Sequence, residues 1–359
     1  MKRIVTIIGA RPQFVKVSAF HRAVIKRKGL QHYIIHTGQH FDQNMSKVFF
    51  DEMNIPTPDI NLNIGGGTHG ENTGRMIEQI EKQLIKKDPD WVVLFGDTDS
   101  TLAGAISATK LHIPIAHVEA GLRSWNRLMP EETNRILTDH CSDILFCPSE
   151  AAKHNLESEG IKGDRIIPTG DIMYDVALYV KDRLDSENGV LNEYKVASKK
   201  YVLATIHRAE NTNDRTALES IIHCLNMIKQ DVILPLHPRT EKALNKYALA
   251  LPSHVKPIKP VGYKEMLVLE KNAFFIVTDS GGVQKEAYFH EVPCITLRNE
   301  TEWVELVDAG VNFLVGSKTD RFEEALQKIL TCEFDFSDNL YGTGTSAEKM
   351  VDSLIKRMS

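Results

Sequence analysis

Acidic side chains close behind short apolar runs are the residues of this chain best suited to chemistry. Asp97 and Asp99 follow the apolar run 91–95, and Glu119 follows the run 115–118. A carboxyl group at the end of a buried strand is costly to ionise without partners, so it becomes a natural acid or base. Two acids two positions apart also suit a divalent metal ion. A helix cap at Asp99 or at the next residue is the structural alternative, so Asp97 is the stronger catalytic candidate.

A second acidic segment lies a few residues further on, at 130–135. Glu131 and Arg135 are four positions apart in it, so they share one face if the segment is a helix. Two interpretations fit that spacing. Glu131 is either another acid/base group or half of a surface ion pair, which is the commoner outcome for such a pair taken alone.

A cationic turn follows the first apolar run, residues 4–8. Gly9 permits a tight turn, and Arg11 and Lys16 place two cations beside a predicted helix start. Helix N-termini attract anions, so the segment predicts a phosphate site. A plain turn with exposed basic side chains fits equally well, because the full Gly-x-Gly-x-x-Gly signature is absent.

The second half of the chain places polar residues in the same way. Ser280, Gly281 and Gly282 would expose backbone N–H groups at a helix start, which suits a diphosphate. Glu286, one turn further on, could accept two ribose hydroxyls. Three more candidates follow other apolar runs of this half: His207, His237 and Arg298.

Short apolar runs alternate with amphipathic stretches along the chain, which predicts a doubly wound α/β fold with parallel strands. The predicted strands are 4–8, 33–36, 91–95, 115–118, 144–147, 165–167, 201–205, 232–235, 274–277, 294–297 and 312–315. We expect two Rossmann-like domains, residues 1–172 and 173–344, facing across a cleft. A C-terminal helix, 345–359, is expected to pack back on the first domain. In such sheets ligands lie beyond the carboxyl ends of the strands.

Composition excludes several classes of protein. The chain has 359 residues, 42% of them hydrophobic and 25% charged, as in ordinary globular proteins and unlike disordered ones. A net charge of −5 argues against nucleic acid or anionic lipid as a partner. No apolar run approaches the roughly 18 residues of a membrane span, and the first run is too short for a signal peptide. Five cysteines without a Cys-x-x-Cys spacing favour a reducing cytoplasm over a disulfide framework or zinc site.

The candidates lie in motifs, which are Gly9-Ala10-Arg11-Pro12, Gly96-Asp97-Thr98-Asp99, His117-Val118-Glu119-Ala120-Gly121-Leu122-Arg123, Pro130-Glu131-Glu132-x-Asn134-Arg135, His207-Arg208, His237-Pro238 and Asp279-Ser280-Gly281-Gly282-x-Gln284-x-Glu286. Their order and spacing, over nearly the whole chain, resemble those of the non-hydrolysing UDP-N-acetylglucosamine 2-epimerases. The resemblance implies a glycosyltransferase-B type fold, a homodimer, and a role in supplying precursors for surface polysaccharides.

The resemblance also implies a reaction without cofactor or metal. UDP is eliminated across C1–C2 of the sugar, which leaves a 2-acetamidoglucal intermediate, and is then added back after C2 is protonated on the opposite face. The implied acid/base carboxyls are Asp97, Glu119 and Glu131, in an order that the residues leave open, and His207 would stabilise the departing diphosphate. The implied substrate-binding residues are Arg11, Lys16, Arg135, His237, Ser280, Gly281, Gly282, Glu286 and Arg298.

The exact UDP-sugar stays open between two candidates. UDP-N-acetylglucosamine represents the class, whereas residues 9–14 and 301–305 look closer to the branch that acts on UDP-2,3-diacetamido-2,3-dideoxy-glucuronate. Gln39 and Gln43 match part of a region where some relatives bind a second UDP-N-acetylglucosamine as activator, but residues 40–42 and 65–70 depart from it. The rival functions are a glycosyltransferase of the same fold and, less favoured, a hydrolysing relative or a nucleotide-sugar sensor.

Overall fold

The computed structural model describes residues 1–38, 55, 57–181 and 187–358. The chain forms two compact units, Met1–Val180 with Asn339–Ser359, and Lys181–Asp338. The divisions predicted from the sequence, after residues 172 and 344, lie near these two changes of unit. Gln39 and Gln43 lie outside the described residues.

The first unit is built on a parallel sheet covered by helices. Its strands are β1 (Lys2–Ile8), β2 (Leu30–His36), β3 (Ile60–Asn61), β4 (Trp91–Phe95), β5 (Ile115–Val118), β6 (Ile144–Cys147) and β7 (Ile166–Pro168). Its helices before the change of unit are α1 (Arg11–Ile25), α2 (His69–Lys87), α3 (Asp99–Lys110), α4 (Pro130–Cys141), α5 (Glu150–Ser158) and α6 (Ile172–Lys181). The strand order is β3-β2-β1-β4-β5-β6-β7, and every pair of neighbours is parallel.

Helix α2 illustrates how the sequence specifies this core. Met76, Ile80 and Leu84 are four residues apart, so they line one face of the helix, and all three are fully buried. They pack in one cluster with Val92 and Leu94 of β4. Burying such side chains stabilises the fold by about 1.5–3 kcal/mol each, which holds α2 against the sheet.

The second unit repeats the architecture with a shorter sheet. Its strands are β8 (Tyr201–Thr205), β9 (Asp231–Pro235), β10 (Val255–Ile258), β11 (Ile276–Thr278), β12 (Cys294–Thr296) and β13 (Asn312–Leu314). Its helices are α7 (Glu187–Glu193), α8 (Ala209–Thr212), α9 (Arg215–Asn226), α10 (Pro238–Tyr247), α11 (Tyr263–Asn272), α12 (Gly281–Phe289), α13 (Val304–Asp308) and α14 (Thr319–Thr331). The parallel strands run in the order β10-β9-β8-β11-β12-β13.

Each sheet has one point where the strand order changes direction. It lies between β1 and β4 in the first unit and between β8 and β11 in the second. The loops after two such neighbouring strands diverge to opposite faces of the sheet and leave a crevice, where ligands of doubly wound folds bind. Most of the predicted site residues follow these central strands or the strands next to them.

The chain returns to the first unit at its C-terminal end. Helix α15 (Ser346–Met358) buries Met350, Val351 and Leu354 and packs beside α1. Two exposed ion pairs flank that contact, Lys26 with Glu348 at 2.9 Å and Arg27 with Asp352 at 2.8 Å. Among the described helices, none is both long enough and apolar enough to cross a membrane.

A histidine contact between α1 and β2 makes the first unit sensitive to acid. Nδ1 of His32 lies 2.9 Å from Nδ1 of His21, and Nε2 of His32 lies 2.8 Å from the hydroxyl of Thr6. Burial, with a smaller contribution from His21, lowers the pKa of His32 to about 3. The folded protein therefore holds this imidazole neutral, while the unfolded chain takes up a proton near pH 6.5.

We expect the free energy of unfolding to fall as the pH drops from 6.5 toward 3, because the unfolded state binds more protons in that window. Between pH 7 and 4.5 the loss due to His32 should be about 2–3 kcal/mol. The measurement is urea unfolding at both pH values for the wild type and for His32→Gln, which stays neutral. Equal pH dependence in the two proteins would show that His32 does not titrate as its surroundings imply.

Candidate functional site

Gln13 ties together the two turns at the centre of the first sheet. It is buried in the first turn of α1, and its Oε1 accepts hydrogen bonds from Gly9 N at 2.7 Å and Ala10 N at 2.9 Å. Its Nε2 donates to Phe95 O at 2.7 Å and to Thr101 Oγ1 at 2.9 Å. The loops after β1 and β4 are therefore held at a fixed distance. Sequence analysis missed this role, since a glutamine in a helix carries no local signal for it.

Lys16 and Glu119 form a buried ion pair beside this crevice. The ammonium of Lys16 donates to the Glu119 carboxylate, and both residues are less than a tenth exposed. Glu119 directly follows β5 and has a φ of +67°, a left-handed conformation that non-glycine residues rarely adopt. The predicted cost of ionising Glu119 is thus offset by a cation. Lys16, expected to bind diphosphate, contacts this carboxylate; of Arg11, only the backbone is described.

Asp97 is held by an arginine that is itself anchored. Both Nε and Nη2 of Arg135 donate to Oδ2 of Asp97, at 3.0 and 2.8 Å. Nη1 of Arg135 donates to the fully buried Glu132 at 2.7 Å, and Glu132 also accepts from the backbone N–H of Ser124 at 3.0 Å. The alternative of a surface ion pair between Arg135 and Glu131 is wrong: Arg135 is buried, and Glu131 is exposed.

A cavity of about 220 Å³ lies among these residues in the first unit. Its lining includes three of the predicted residues, Lys16, Asp97 and Glu131, together with Gly96. A Cβ on Gly96, whose φ is +64°, would lie 3.5 Å from Oε2 of Glu119, so that carboxylate adjoins the same wall. The volume is below the roughly 300 Å³ of a typical small-molecule site, so the cavity admits part of a ligand such as a sugar ring.

Asp99 has a different role from the one predicted. The cap of α3 is Thr98, whose Oγ1 accepts from Thr101 N, so a cap at Asp99 or Ser100 is wrong. The Asp99 carboxylate accepts from Nδ1 of His69 at 2.7 Å and from Nδ2 of Asn134 at 3.2 Å. His69 and Asn134 both line the cavity, and sequence analysis missed them as site residues.

A metal site at Asp97 and Asp99 finds no support in the geometry. Each carboxylate faces nitrogen donors, from Arg135 for the first and from His69 and Asn134 for the second. Within the described ranges, no three His, Cys, Asp or Glu side chains are grouped closely enough to hold a metal ion.

A buried polar network lies under the cavity wall. Nε2 of His117 lies 2.7 Å from Gly96 O, and its Nδ1 lies 2.7 Å from Oδ1 of Asp139. Oδ2 of Asp139 accepts from Arg123 Nη1 at 2.7 Å and from Gly121 N at 3.1 Å. Burial alone would raise the pKa of Asp139, but His117 and Arg123 outweigh it and hold that pKa below its ordinary value. The network fixes the turn that presents Asp97.

Asp279 organises the corresponding crevice of the second unit. It follows β11 and is fully buried, and it accepts from the backbone N–H groups of His207 at 3.0 Å and Arg208 at 2.9 Å. Nδ2 of Asn211 donates to it at 3.0 Å. The loop after β8 is therefore bound to the loop after β11, which sets the position of the His207 side chain.

His207 lies over His237, with ring centroids 5.4 Å apart. Its Nδ1 is 3.3 Å from Oδ1 of Asp279. Burial lowers the pKa of His207; Asp279 opposes that shift, and the cations of Arg208 and Arg239 add to it. The imidazoles of His207 and His237, which follow β8 and β9, are therefore neighbours.

The start of α12 has the open backbone that its glycines predict. A Cβ on Gly281 would lie 3.8 Å from Nη1 of Arg298 and 3.9 Å from Nη2 of Arg208, so cations flank this turn. Arg298 is buried and makes a two-pronged contact with Glu302 at 2.9 and 3.2 Å. The Glu286 side chain is directed toward the start of α12: its Oε2 lies 4.0 Å from the position that a Cβ atom on Gly282 would occupy.

Each unit thus gathers its own share of the predicted residues. The first unit gathers Lys16, Asp97, Glu119, Glu131 and Arg135, and the second gathers His207, His237, Ser280, Gly281, Gly282, Glu286 and Arg298.

Comparison with known proteins gives consistent matches over the full length. A family model described as UDP-N-acetylglucosamine 2-epimerase matches residues 22–355. A UDP-N-acetylglucosamine 2-epimerase homolog of Methanococcus maripaludis is 51% identical, over 98% of this chain and 99% of that protein. The UDP-2,3-diacetamido-2,3-dideoxy-D-glucuronate 2-epimerase of Pseudomonas aeruginosa is 49% identical, over 99% of each chain. The crystal structure of Methanocaldococcus jannaschii UDP-GlcNAc 2-epimerase, in complex with UDP-GlcNAc and UDP, matches with a TM-score of 0.91 and 44% identity, over 99% of this chain and 100% of that one. The predicted fold class is confirmed.

Proposed function

Because the chain belongs to the UDP-N-acetylglucosamine 2-epimerase family, we propose that it interconverts UDP-N-acetylglucosamine and UDP-N-acetylmannosamine by inverting C2. The observation that carries this proposal is the cavity of the first unit, where Asp97 and Glu131 line one space and Glu119 adjoins its wall. Inversion of a C–H centre needs a base on one face and an acid on the other. Three carboxyl groups around one small cavity can supply both.

The proposed reaction is an elimination followed by an addition. One carboxylate takes the C2 proton, the C–H electrons form the C1–C2 double bond, and the C1–O bond breaks with its electrons leaving on UDP. A carboxylic acid on the opposite face then protonates C2 of the 2-acetamidoglucal, and the UDP oxygen forms the C1–O bond again. Atoms and electrons balance without an oxidant or a cofactor, because one carboxyl gains a proton and another loses one.

The second unit supplies the groups suited to holding UDP. The backbone N–H groups of Ser280, Gly281 and Gly282 and the dipole of α12 favour a diphosphate. Arg298 lies beside that turn and His207 lies beside Asp279, which precedes it, where hydrogen bonds stabilise the negative charge that grows as UDP departs. Glu286, close to Gly282, is placed to accept from the ribose hydroxyls.

The diacetamido-glucuronate nucleotide is a second candidate substrate, supported by a close relative. The P. aeruginosa relative at 49% identity is named for UDP-2,3-diacetamido-2,3-dideoxy-D-glucuronate. In the segment 301–305, which looks closer to that branch, Glu302 accepts from Arg298, and Nε1 of Trp303 lies, like Arg298, beside Gly281. The same elimination and addition would act on this sugar, since it also has a proton at C2 and UDP at C1.

The proposal extends to the setting of the enzyme. We infer a homodimer in the cytoplasm that supplies a precursor of surface polysaccharide. The family resemblance supports the dimer, and the five cysteines, all free thiols, agree with a reducing compartment.

Deuterium exchange tests the proposed function. In deuterated buffer we expect the C2 position of the true substrate to exchange, together with formation of its C2 epimer, without free sugar or an acceptor. NMR time courses with UDP-N-acetylglucosamine and with the diacetamido-glucuronate nucleotide decide between the two substrates. A glycosyltransferase would release UDP only with an acceptor and leave C2 unlabelled. Absence of exchange in both sugars, against a no-enzyme control, would overturn the proposal.

A further inference from the structure

Glu270 is a buried acid in the second unit that no part of the proposed chemistry uses. It lies on α11 and is fully buried. Neither of its carboxyl oxygens meets an N–H or O–H donor among the residues that the structure describes. The hydroxyl of Tyr201, whose pKa is raised by burial and further by Glu270, donates instead to Leu269 O at 2.6 Å. An ionised carboxylate here would carry the full cost of desolvation.

The partner of Glu270 is a second carboxyl group. Glu270 and Glu286 lie on the adjacent helices α11 and α12, and their carboxyl groups are close enough to interact. Two carboxylates cannot share a buried contact while both are ionised, so one must keep its proton and donate it to the other. Burial raises the pKa of Glu270 well above its ordinary value, and Glu286 raises it further.

The two acids differ in what lies beyond them. Glu270 faces only the interior, whereas Glu286 is 7% exposed and has its Oε2 directed back toward Gly282 at the start of α12. The proton therefore belongs on Glu270, and the charge on Glu286, which retains access to the crevice. A terminal carboxyl torsion is intrinsically broad, so a hydrogen bond donated from behind helps to restrict how Glu286 presents its oxygens.

We propose that Glu270 is a positioning residue, which donates a hydrogen bond to Glu286 and thereby fixes that carboxylate as the acceptor for the ribose hydroxyls of UDP. The inference rests on the proposed function for the role of Glu286. It goes beyond that function in assigning the fully buried acid behind the site.

Two substitutions separate the hydrogen bond from mere packing. Glu270→Met keeps the length of the side chain and removes the donor. Glu270→Gln keeps a donor, because its amide can point at Glu286. Glu241→Gln, on an exposed position of α10 in the same unit, is the matched control.

The readout is discrimination between UDP and 2′-deoxy-UDP, measured by calorimetry as the ratio of their dissociation constants. We expect the wild type and Glu241→Gln to bind UDP about tenfold more tightly than 2′-deoxy-UDP. A site that hydrogen-bonds a hydroxyl loses about that much affinity for a ligand that lacks it. Glu270→Met should reduce that ratio to about twofold, and Glu270→Gln should restore most of it. In the C2 exchange assay, Glu270→Met should raise KM and change kcat by less than threefold.

A double substitution completes the test. In the Glu286→Ala background, Glu270→Met should leave the ratio unchanged, because the residue through which it acts is gone. The inference is overturned if Glu270→Met keeps the wild-type ratio, or if Glu270→Gln loses it as fully as methionine does. It is also overturned if the wild type shows no preference for UDP, since Glu286 then does not read the ribose.

These results stand apart from the fate of the proposed reaction. Failure of C2 exchange in the wild type would sink the epimerase proposal, while the calorimetric ratio would still report on the ribose contact. If Glu270→Met does not fold, as judged by its urea midpoint, Glu270→Gln decides the question, measured with Glu286 present and in the Glu286→Ala background. With Glu286 present, a UDP to 2′-deoxy-UDP ratio for Glu270→Gln below half of the wild-type value would overturn the inference.

Discussion

Replacing Asp97 with asparagine should slow C2 exchange by about 1000-fold, within the range found when a general acid or base is removed. The Asp97 carboxylate lines the cavity and is fixed by two hydrogen bonds from Arg135. Asparagine has nearly the same shape and can still accept from the guanidinium, but it cannot take or give a proton at C2. Binding of UDP should change by less than threefold, because the residues proposed to hold the diphosphate belong to the second unit.

The control for this substitution is Asp88→Asn. Asp88 is also an aspartate paired with an arginine, Arg3 at 3.0 Å, but it is 84% exposed at the end of α2. Asparagine tolerates its left-handed backbone, so both folding and exchange should be preserved. NMR of C2 deuteration gives the rate, and calorimetry gives the affinity for UDP. Normal exchange in Asp97→Asn would remove Asp97 from the acid/base set.

The fold was predictable because parallel strands covered on both faces leave nearly continuous apolar runs in the sequence. β4 and β8 match the predicted runs 91–95 and 201–205 to the residue. The edge strands β3 and β10 were not predicted, since they are short and only partly buried and lack such a run. Strand β11 begins at Ile276 rather than 274, although the two residues before it already bond to β8: Phe274 N donates to Tyr201 O at 2.8 Å, and Phe275 O accepts from Leu203 N at 3.3 Å.

Site residues were predictable where a strand ends, and their supports were not. Asp97 and Asp279 each follow a central strand, which the sequence pattern reveals. The groups that fix the first site come from far along the chain: Gln13 contacts Phe95 across 82 positions, and Lys16 contacts Glu119 across 103. Only the fold brings such pairs together, so no local spacing could indicate them. The same reason hid the contact of Arg135 with Asp97 and that of His69 with Asp99.

The cap of α3 shows how tertiary contacts choose between local options. Thr98 and Asp99 are both good capping residues, and spacing alone does not rank them. Asp99 is engaged by His69 and Asn134 from two other helices, which leaves the cap to Thr98. Asp99, two residues after the catalytic candidate Asp97, therefore holds His69 and Asn134 in the cavity wall.

The network around Asp139 predicts the largest effect on stability. Asp139→Ala would leave His117 and Arg123 facing one another in the interior without the carboxylate that joins them. Removing one partner of a buried ion pair costs about 3–5 kcal/mol. Glu159 still pairs with Arg123 at 2.7 Å, so the loss should fall at the lower end of that range. We therefore expect a loss of that size in the urea-unfolding free energy of the first unit.

A surface pair of the same unit provides the contrast. Asp164 pairs with Arg357 at 3.1 Å, but its side chain is 86% exposed, so Asp164→Ala should cost less than about 1 kcal/mol. A cost for Asp139→Ala no larger than this would mean that water or rearrangement replaces the network.

Asp139→Asn refines the result, because it keeps the volume of the side chain and removes only its charge. If charge is what holds His117 and Arg123, asparagine should lose most of the stability that alanine loses. Because His117 also contacts Gly96 O, exchange at C2 should fall in both variants, which links the buried network to the position of Asp97.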